Sequence, residues 1–371
     1  MFVDLHIHSY FSDGAQTPEQ AALTCRDNAV GLAALCDHNS WLGCERFADA
    51  CRELGVRTIR GAEFDCRWQG YHLHILGYGF TPTPELAALA HRSRELLLQM
   101  SVDLIERLAP EYPQLAPDEY RSYCYDALQG GWAGLHYLRE KGVTQSLSDG
   151  MPLYARCGLD YSTYPFPPAE EIIAAIRRAG GTAVLAHPFQ SFGGLELAAL
   201  YAVYNELCSA GLGGIETYYP THSKTFAAQT ALFCEKKGLL ITSGSDDHGL
   251  FAHTGGWEQY RIGSLMMEPH RLRLGDLLLS SGVISHEQLE RALELQKESK
   301  ERLGDVLVQS GIITEQQLIE ALKIQLGVEF VDLTAVSIPV ELAKYVPRTL
   351  AKKYCVVPVK LVRDTLYLAM S

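Results

Sequence analysis

Six histidines and three carboxylates fall one after another at the ends of short apolar runs: His6, His8, Asp13, His38, Glu63, His74, His187, Asp246 and His248. Strands arranged around an α/β barrel present their ends on one rim, so residues far apart in the chain can converge there. The opening segment VDLHIHSYFSDG shows the local logic. Side chains two apart on a strand share a face, so His6 and His8 can point at one ion while Leu5 and Ile7 enter the core. Asp4 shares the histidine face.

Seven such runs stand out: VDLHIH, GLAALCDH, RTIRGAEF, HLHILGY, TAVLAHP, GIETYY and LLITSGSD. Helix-like stretches separate several of them, the alternation expected of parallel strands. The first helix has a clear start, with Thr17 to cap, Pro18 in the first turn and Gln20 to complete a capping box. Another runs from about Ser223 to Lys237 and stops at Gly238. Residues 81–168 break the rhythm with TPTPELAALAHRSRELLLQMSVDLIERL and Tyr- and Gly-rich text, which predicts a helical insertion over the barrel mouth. A separate helical subdomain with no role in the site is the alternative.

At 371 residues the chain is longer than one core usually serves. Two domains are expected. No run of about 18 apolar residues spans a bilayer, and no secretory leader precedes the first motif, so a cytoplasmic location without membrane insertion is expected. The ten cysteines include no CxxC pair and read as reduced, buried small residues. A net charge of −12 argues against broad binding of duplex nucleic acid. Three divalent ions would move it to about −6 and focus positive potential in one cleft.

Imidazole and carboxylate ligands suit Zn²⁺, Mn²⁺ or Fe²⁺. A carboxylate such as Glu63 can bridge two cations, and closely spaced metals activate water and hold phosphoryl oxygens, which points to phosphate-ester hydrolysis. Spacing alone does not choose between His72 and His74. Asp4 and Asp37 could hold ligand imidazoles or be surface or turn carboxylates. His91, His136, His253, His270 and His286 read as ordinary core or surface residues.

The ordered set DLHIHS, SDG, DHN, GAEF, HILGY, AHP and GSDDH resembles the PHP (polymerase and histidinol phosphatase) family over about residues 1 to 263. The resemblance implies a distorted seven-stranded (β/α) barrel with a trinuclear site. One ion would be held by His6, His8, Glu63 and Asp246, a second by Glu63, His74 and His187, and a third by Asp13, His38 and His248. It selects His74 over His72. Glu63 would bridge, with a metal-bound hydroxide as the attacking group. Cys36 departs from the family, where Thr usually precedes DH. SDG followed by a helical insertion resembles the stand-alone nucleotide phosphatase and exonuclease branch. That likeness makes Glu216 and His222 candidates for the edge of the site, His222 as a contact for the substrate phosphate or as a surface-turn residue; Asn39 is a further candidate substrate contact. Arg92, Arg94 and Arg139 could also meet phosphate or simply line a solvated helix face.

After GSLMMEPH an internal repeat begins. RLGDLLLSSGVISHEQLERALELQ (273–296) is echoed by RLGDVLVQSGIITEQQLIEALKIQ (302–325). Each copy predicts a short helix, a turn at Gly282 or Gly311, and a second helix with its own capping box at Ser285/Gln288 or Thr314/Gln317. Paired arginines beside glycines suit a two-fold symmetric anionic ligand. The tandem motif resembles the MshEN family of cyclic di-GMP receptor domains, which implies ligand contacts from Arg273, Leu274, Gly275, Gln296, Arg302, Leu303, Gly304 and Gln325. No GxxxxGK[ST] loop accompanies it, so the secretion ATPase usually joined to that domain is absent.

The expected molecule is therefore an α/β PHP-type domain (1–263), a linker (264–272) and a small α/β domain with the tandem helical repeat (273–371). Its expected function is hydrolysis of phosphate esters of nucleotides or short oligonucleotides, tuned by cyclic di-GMP. Alternatives are a histidinol-phosphate-type phosphatase, or a non-catalytic phosphate-binding protein whose C-terminal domain docks on secretion or pilus machinery.

Overall fold

The computed structural model describes residues 2–251, 259–265, 274–280, 283–299, 301–326, 331, 333, 338–362 and 365–370. The chain divides into two compact units, 1–270 and 271–371, and its fold is mixed α/β.

In the first unit, β1 (Phe2–Ile7), β2 (Val30–Leu35) and β3 (Arg57–Thr58) form a parallel sheet in the order β1-β2-β3. A second sheet has the order β4 (Gly61–Trp68), β5 (Tyr71–Tyr78), β6 (Thr182–Leu185), β7 (Gly214–Tyr218) and β8 (Leu240–Ser243). Isolated parallel bridges join the sheets at both margins, His38 to Glu63 and Ile7 to Asp247. They bring the ends of β1, β2 and β8 beside the start of β4, where the predicted ligands reside.

Two strand expectations need correction. The run RTIRGAEF is divided between sheets, with Arg57–Thr58 in β3 and Gly61 onward in β4. The strands are also not all parallel: β5 is antiparallel to both β4 and β6. Gln69 (φ 45°) and Gly70 (φ 85°) form a two-residue turn between β4 and β5. Two residues close a hairpin, whereas a parallel crossover needs a dozen or more.

Helix α1 (Pro18–Asp27) starts as its sequence dictates. The Gln20 amide donates to Thr17 Oγ1 at 3.2 Å, and the Thr17 amide donates to Gln20 Oε1 at 2.8 Å. With α2 (Cys44–Glu53) it covers β1 and β2 through Ala21, Cys25, Phe47 and Cys51. A larger core packs Phe64, Ile75, Ile172, Tyr204 and Ile215 around the second sheet. Each such large side chain contributes roughly 1.5–3 kcal/mol by leaving water. All ten cysteines are free thiols.

Residues 81–168 contain helices and no strand. Their main element is α3 (Pro84–Leu108), capped by Thr83, followed by α4 (Pro117–Tyr120), α5 (Ala133–Glu140) and α6 (Met151–Arg156). They build a core of their own around Leu104, Tyr137 and Phe166, which Phe251 from after β8 joins.

In the second unit, helices Leu274–Ser280 and His286–Ser299 are echoed by Leu303–Gln309 and Glu315–Leu326. Both capping boxes form, Ser285 with Gln288 and Thr314 with Gln317. The motif glycines serve this packing. A Cβ on Gly275 would stand 2.9 Å from Leu289 and 3.5 Å from Leu303; one on Gly304 would stand 2.8 Å from Leu318 and 3.3 Å from Leu274. Each repeat thus lays its leucine on the other's glycine. An antiparallel hairpin of β9 (Val356–Val362) and β10 (Thr365–Met370) follows.

Candidate metal centre

The nine predicted ligands converge. His6, His8, Glu63 and Asp246 form one group of donor atoms, Glu63, His74 and His187 a second, and His8, Asp13, His38 and His248 a third. In the first, His6 Nε2 lies 3.2 Å from Glu63 Oε2 and 3.4 Å from Asp246 Oδ1, and His8 Nε2 lies 3.3 and 2.9 Å from the same two atoms. In the second, Glu63 Oε1 is 2.8 Å from His74 Nδ1 and 3.0 Å from His187 Nε2, which are 3.2 Å apart. Ligands about 2.0–2.1 Å from a tetrahedral ion stand roughly 3.3–3.4 Å from one another. Both groups have close to that spacing.

The two oxygens of Glu63 therefore face different groups, as a bridging carboxylate requires. His6 Nε2, His8 Nε2, Asp13 Oδ1, His38 Nδ1 and Glu63 Oε2 are buried with no hydrogen-bond partner among the described residues. Unsatisfied buried donors and acceptors cost about 1–3 kcal/mol each, more when charged. Their concentration here fits a site built for cations.

Electrostatics agree. Burial opposes charge on His38 and His248, yet neighbouring carboxylates override it. Glu63 and Asp13 push His38 up to about 9, and Asp13 and Asp246 push His248 up to about 10. Burial likewise works to raise Glu63, but His74, His6 and His38 hold it well below the usual carboxylate range. The cluster demands positive charge at its centre.

Buried partners orient the donors. Glu216, fully enclosed, accepts from His6 Nδ1 at 3.0 Å and from the His187 amide at 2.8 Å. It thereby leaves the His6 Nε2 lone pair for the cluster. Tyr219 donates to Asp246 Oδ2 at 2.6 Å and accepts from Gln190 Nε2 at 2.8 Å, so Asp246 Oδ1 is left to His6 and His8. His187 (φ 25°), Asp246 (φ 54°) and Asn39 (φ 50°) have left-handed backbones, a conformation that costs about 1–3 kcal/mol and collects at functional sites.

Asp65 was not foreseen from the sequence. It is 2% exposed, with Oδ1 2.9 Å from His72 Nε2 and 3.2 Å from His74 Nε2, and Oδ2 3.4 Å from His38 Nδ1. The signal was present, since Asp65 sits two residues after Glu63 on one strand face. His72 pairs with Asp65 and stacks on Tyr161, while His74 alone reaches Glu63.

Other candidates have different surroundings. Among the described residues, Asp4 and Asp37 hold no imidazole. Asp4 accepts from the amides of Ser245, Gly263 and His6, and Asp37 from Ser9 and Ser12. Asn39 is fully buried and spends both amide atoms on Asp65. The Nδ1 of His222 pairs with Thr217 O at 2.8 Å, and its Nε2 accepts from the Phe189 amide at 3.4 Å. Arg92, Arg94 and Arg139 bond Pro165 O, Asn39 O and Gln129 Oε1. Cys36 donates to Leu5 O at 3.1 Å.

A cleft of about 320 Å³ opens beside the cluster. Asp13, Asp246 and His248 line it together with Trp132 and Met151 of the insertion, Gln190, Tyr219, Phe251 and Tyr260.

In the second unit, Leu274, Gly275, Leu303 and Gly304 meet across the repeat. Arg302 is exposed at the start of its helix, and Gln296 Nε2 donates to Glu301 O at 3.1 Å. Arg273, Gly282 and the side chain of Gln325 lie outside the described residues, as do His253, His270 and most of the expected linker.

The PHP domain family matches residues 4–135, and the MshEN domain family matches residues 326–371, just after the tandem repeat. The chain carries an N-terminal PHP domain and a C-terminal MshEN domain. The chain is 29% identical over 265 residues to a phosphoribosyl 1,2-cyclic phosphate 1,2-diphosphodiesterase of Eggerthella lenta, covering 68% of this chain and 95% of that protein. It is 29% identical over 251 residues to a 3′,5′-nucleoside bisphosphate phosphatase of Chromobacterium violaceum, covering 66% and 87%. A solved amidohydrolase structure from C. violaceum, holding sulfate and no metal, superposes with a TM-score of 0.57 at 28% identity, covering 67% of this chain and 88% of that one. The chain is a hydrolase. Among the described residues, no helix is long and apolar enough to cross a membrane.

Proposed function

We propose that the PHP domain is a metal-dependent phosphoesterase for nucleotides or short oligonucleotides, using three divalent ions drawn from Zn²⁺, Mn²⁺ and Fe²⁺. The spacing of donor atoms around Glu63 carries this reading. His6, His8, Glu63 and Asp246 would hold one ion, Glu63, His74 and His187 a second, and Asp13, His38 and His248 a third. When bound, such ions activate water and neutralise the charge that develops on a phosphoryl group in displacement. The chain's own residues supply orientation. Glu216 fixes the His6 tautomer and the His187 backbone, Tyr219 turns Asp246, and Asp65 holds His74 from its far nitrogen. The insertion contributes one wall of the cleft through Trp132 and Met151.

Phosphate release from nucleoside monophosphates, measured after chelation and after adding back Mn²⁺, Zn²⁺ or Fe²⁺, tests the reading. Activity should vanish and return. Protein that binds phosphate but hydrolyses nothing with any of the three ions would favour the binding-protein alternative.

We further propose that the MshEN domain, over 273–371, binds cyclic di-GMP and tunes the hydrolase. The tandem motif and the mirrored packing of Gly275 and Gly304 support a two-fold ligand. Calorimetric titration of cyclic di-GMP should show binding that Arg273→Ala and Arg302→Ala each weaken. Binding insensitive to both would remove the assignment.

A further inference from the structure

The cleft beside the ligand cluster has a wall that metal chemistry does not require. Gly130 (φ 68°) and Gly131 (φ 70°) bring the insertion directly onto the aspartate loop, where the Gly131 amide donates to Asp13 O at 2.7 Å. A Cβ on Gly130 would stand 2.7 Å from Phe251 and 2.9 Å from Asp13 O. Only glycine permits that contact. The clamp delivers the next residue, Trp132, to the cleft, with its ring centroid 5.9 Å from that of His38. Among the described residues, the Trp132 indole N–H has no hydrogen-bond partner, and neither does Gln190 Oε1, which lines the same cleft.

A partly exposed indole held rigidly next to a metal-ligand cluster offers a flat apolar face and one donor. The described lining adds Phe251, Tyr260 and Met151, so the cleft is aromatic on its non-ligand surface. Its volume of about 320 Å³ lies at the small end of small-molecule sites, which run from about 300 to 1,000 Å³. That space suits one nucleotide unit, with phosphate at the ligand cluster and base on the aromatic wall. We infer that Trp132 forms a nucleobase-stacking subsite and that the insertion selects nucleoside phosphates over phosphate esters lacking a base. This inference rests on the phosphoesterase reading and adds the residue that sets its substrate class. Gln190 Oε1 and the indole N–H offer one acceptor and one donor to the base or ribose edge.

The test uses the Mn²⁺-loaded full chain and two pairs of probes. Turnover compares adenosine 5′-monophosphate with ribose 5-phosphate, and calorimetry compares their non-hydrolysable 5′-phosphonate analogues. Stacking on an aromatic side chain should favour the adenosine member of each pair on the order of 5- to 150-fold. Trp132→Leu, which keeps apolar volume without a ring, should abolish most of that preference, and Trp132→Phe should retain much of it. Metal content and the thermal transition of each variant report folding. Equal affinity of the wild type for both phosphonates overturns the subsite, as does a preference that survives Trp132→Leu. If neither phosphate is hydrolysed but the phosphonate preference is present and lost in Trp132→Leu, the subsite stands and the phosphoesterase reading falls.

Discussion

Single residues decide the chemistry through what stands behind them. Glu216 touches two elements of the cluster at once, so Glu216→Gln should weaken metal binding by about 10- to 100-fold, the usual cost of losing a partner behind a ligand histidine. Metal titration of the purified variant measures this; an unchanged affinity would separate Glu216 from the site. Protons provide a second test. Without metal, His38 is pushed up to about 9 and His248 to about 10. Both exceed the ordinary unfolded value of about 6.5. Their stabilisation of the metal-free fold is thus fully present below about pH 6.5 and is lost as pH rises through 9 to 10. Metal must displace those protons, so affinity should climb with pH up to about 10. Calorimetry in buffers of differing ionisation enthalpy reads the release, and titration at neutral pH with no proton transfer would contradict it. The converging side chains were legible in the sequence because each follows an apolar run. Asp65 was legible by the same two-residue spacing that picked out His6 and His8, but only when that rule is carried two positions past Glu63. The role of Glu216 was not, because β7 meets His6 only in the folded molecule.

At the scale of elements, the positions of the strands could be read from the runs, but their directions could not without the turns. The Gln69–Gly70 pair marks the β4–β5 hairpin, and its left-handed backbone reverses the chain where a crossover was expected. Closure also depends on a glycine whose reason lies across the sheets. A Cβ on Gly244, just past β8, would fall 2.1 Å from His6 Cβ and 2.6 Å from Glu216 Oε1. Gly244→Ala should therefore destabilise by about 3 kcal/mol or more, beyond the range of ordinary overpacking. Chemical denaturation with and without metal would show it, and a stable variant with full metal affinity would refute this packing. In the C-terminal repeat the helices and capping boxes were legible because they are local. The glycines were assigned to ligand approach; the structure adds a packing reason for them, since each lies against leucines of the neighbouring helices. Gly304→Ala should cost about 1–3 kcal/mol for the same reason, measured as a lowered denaturation midpoint.

For the whole molecule, a phosphoesterase joined to an MshEN domain makes regulation a matter of linkage. Cyclic di-GMP can change turnover only through different affinity for two catalytic states. Turnover at saturating dinucleotide should differ from turnover without it by a factor of about 5 to 150, the usual span of coupling between sites. Identical kinetics would leave a binding module without control. Beneath that question lies the cluster itself, and anomalous diffraction from a crystal grown with Mn²⁺ tests it most directly. The account predicts three anomalous peaks, two of them flanking the Glu63 carboxylate and the third among Asp13, His38 and His248. A fully loaded crystal with no peak beside Glu63 would contradict it.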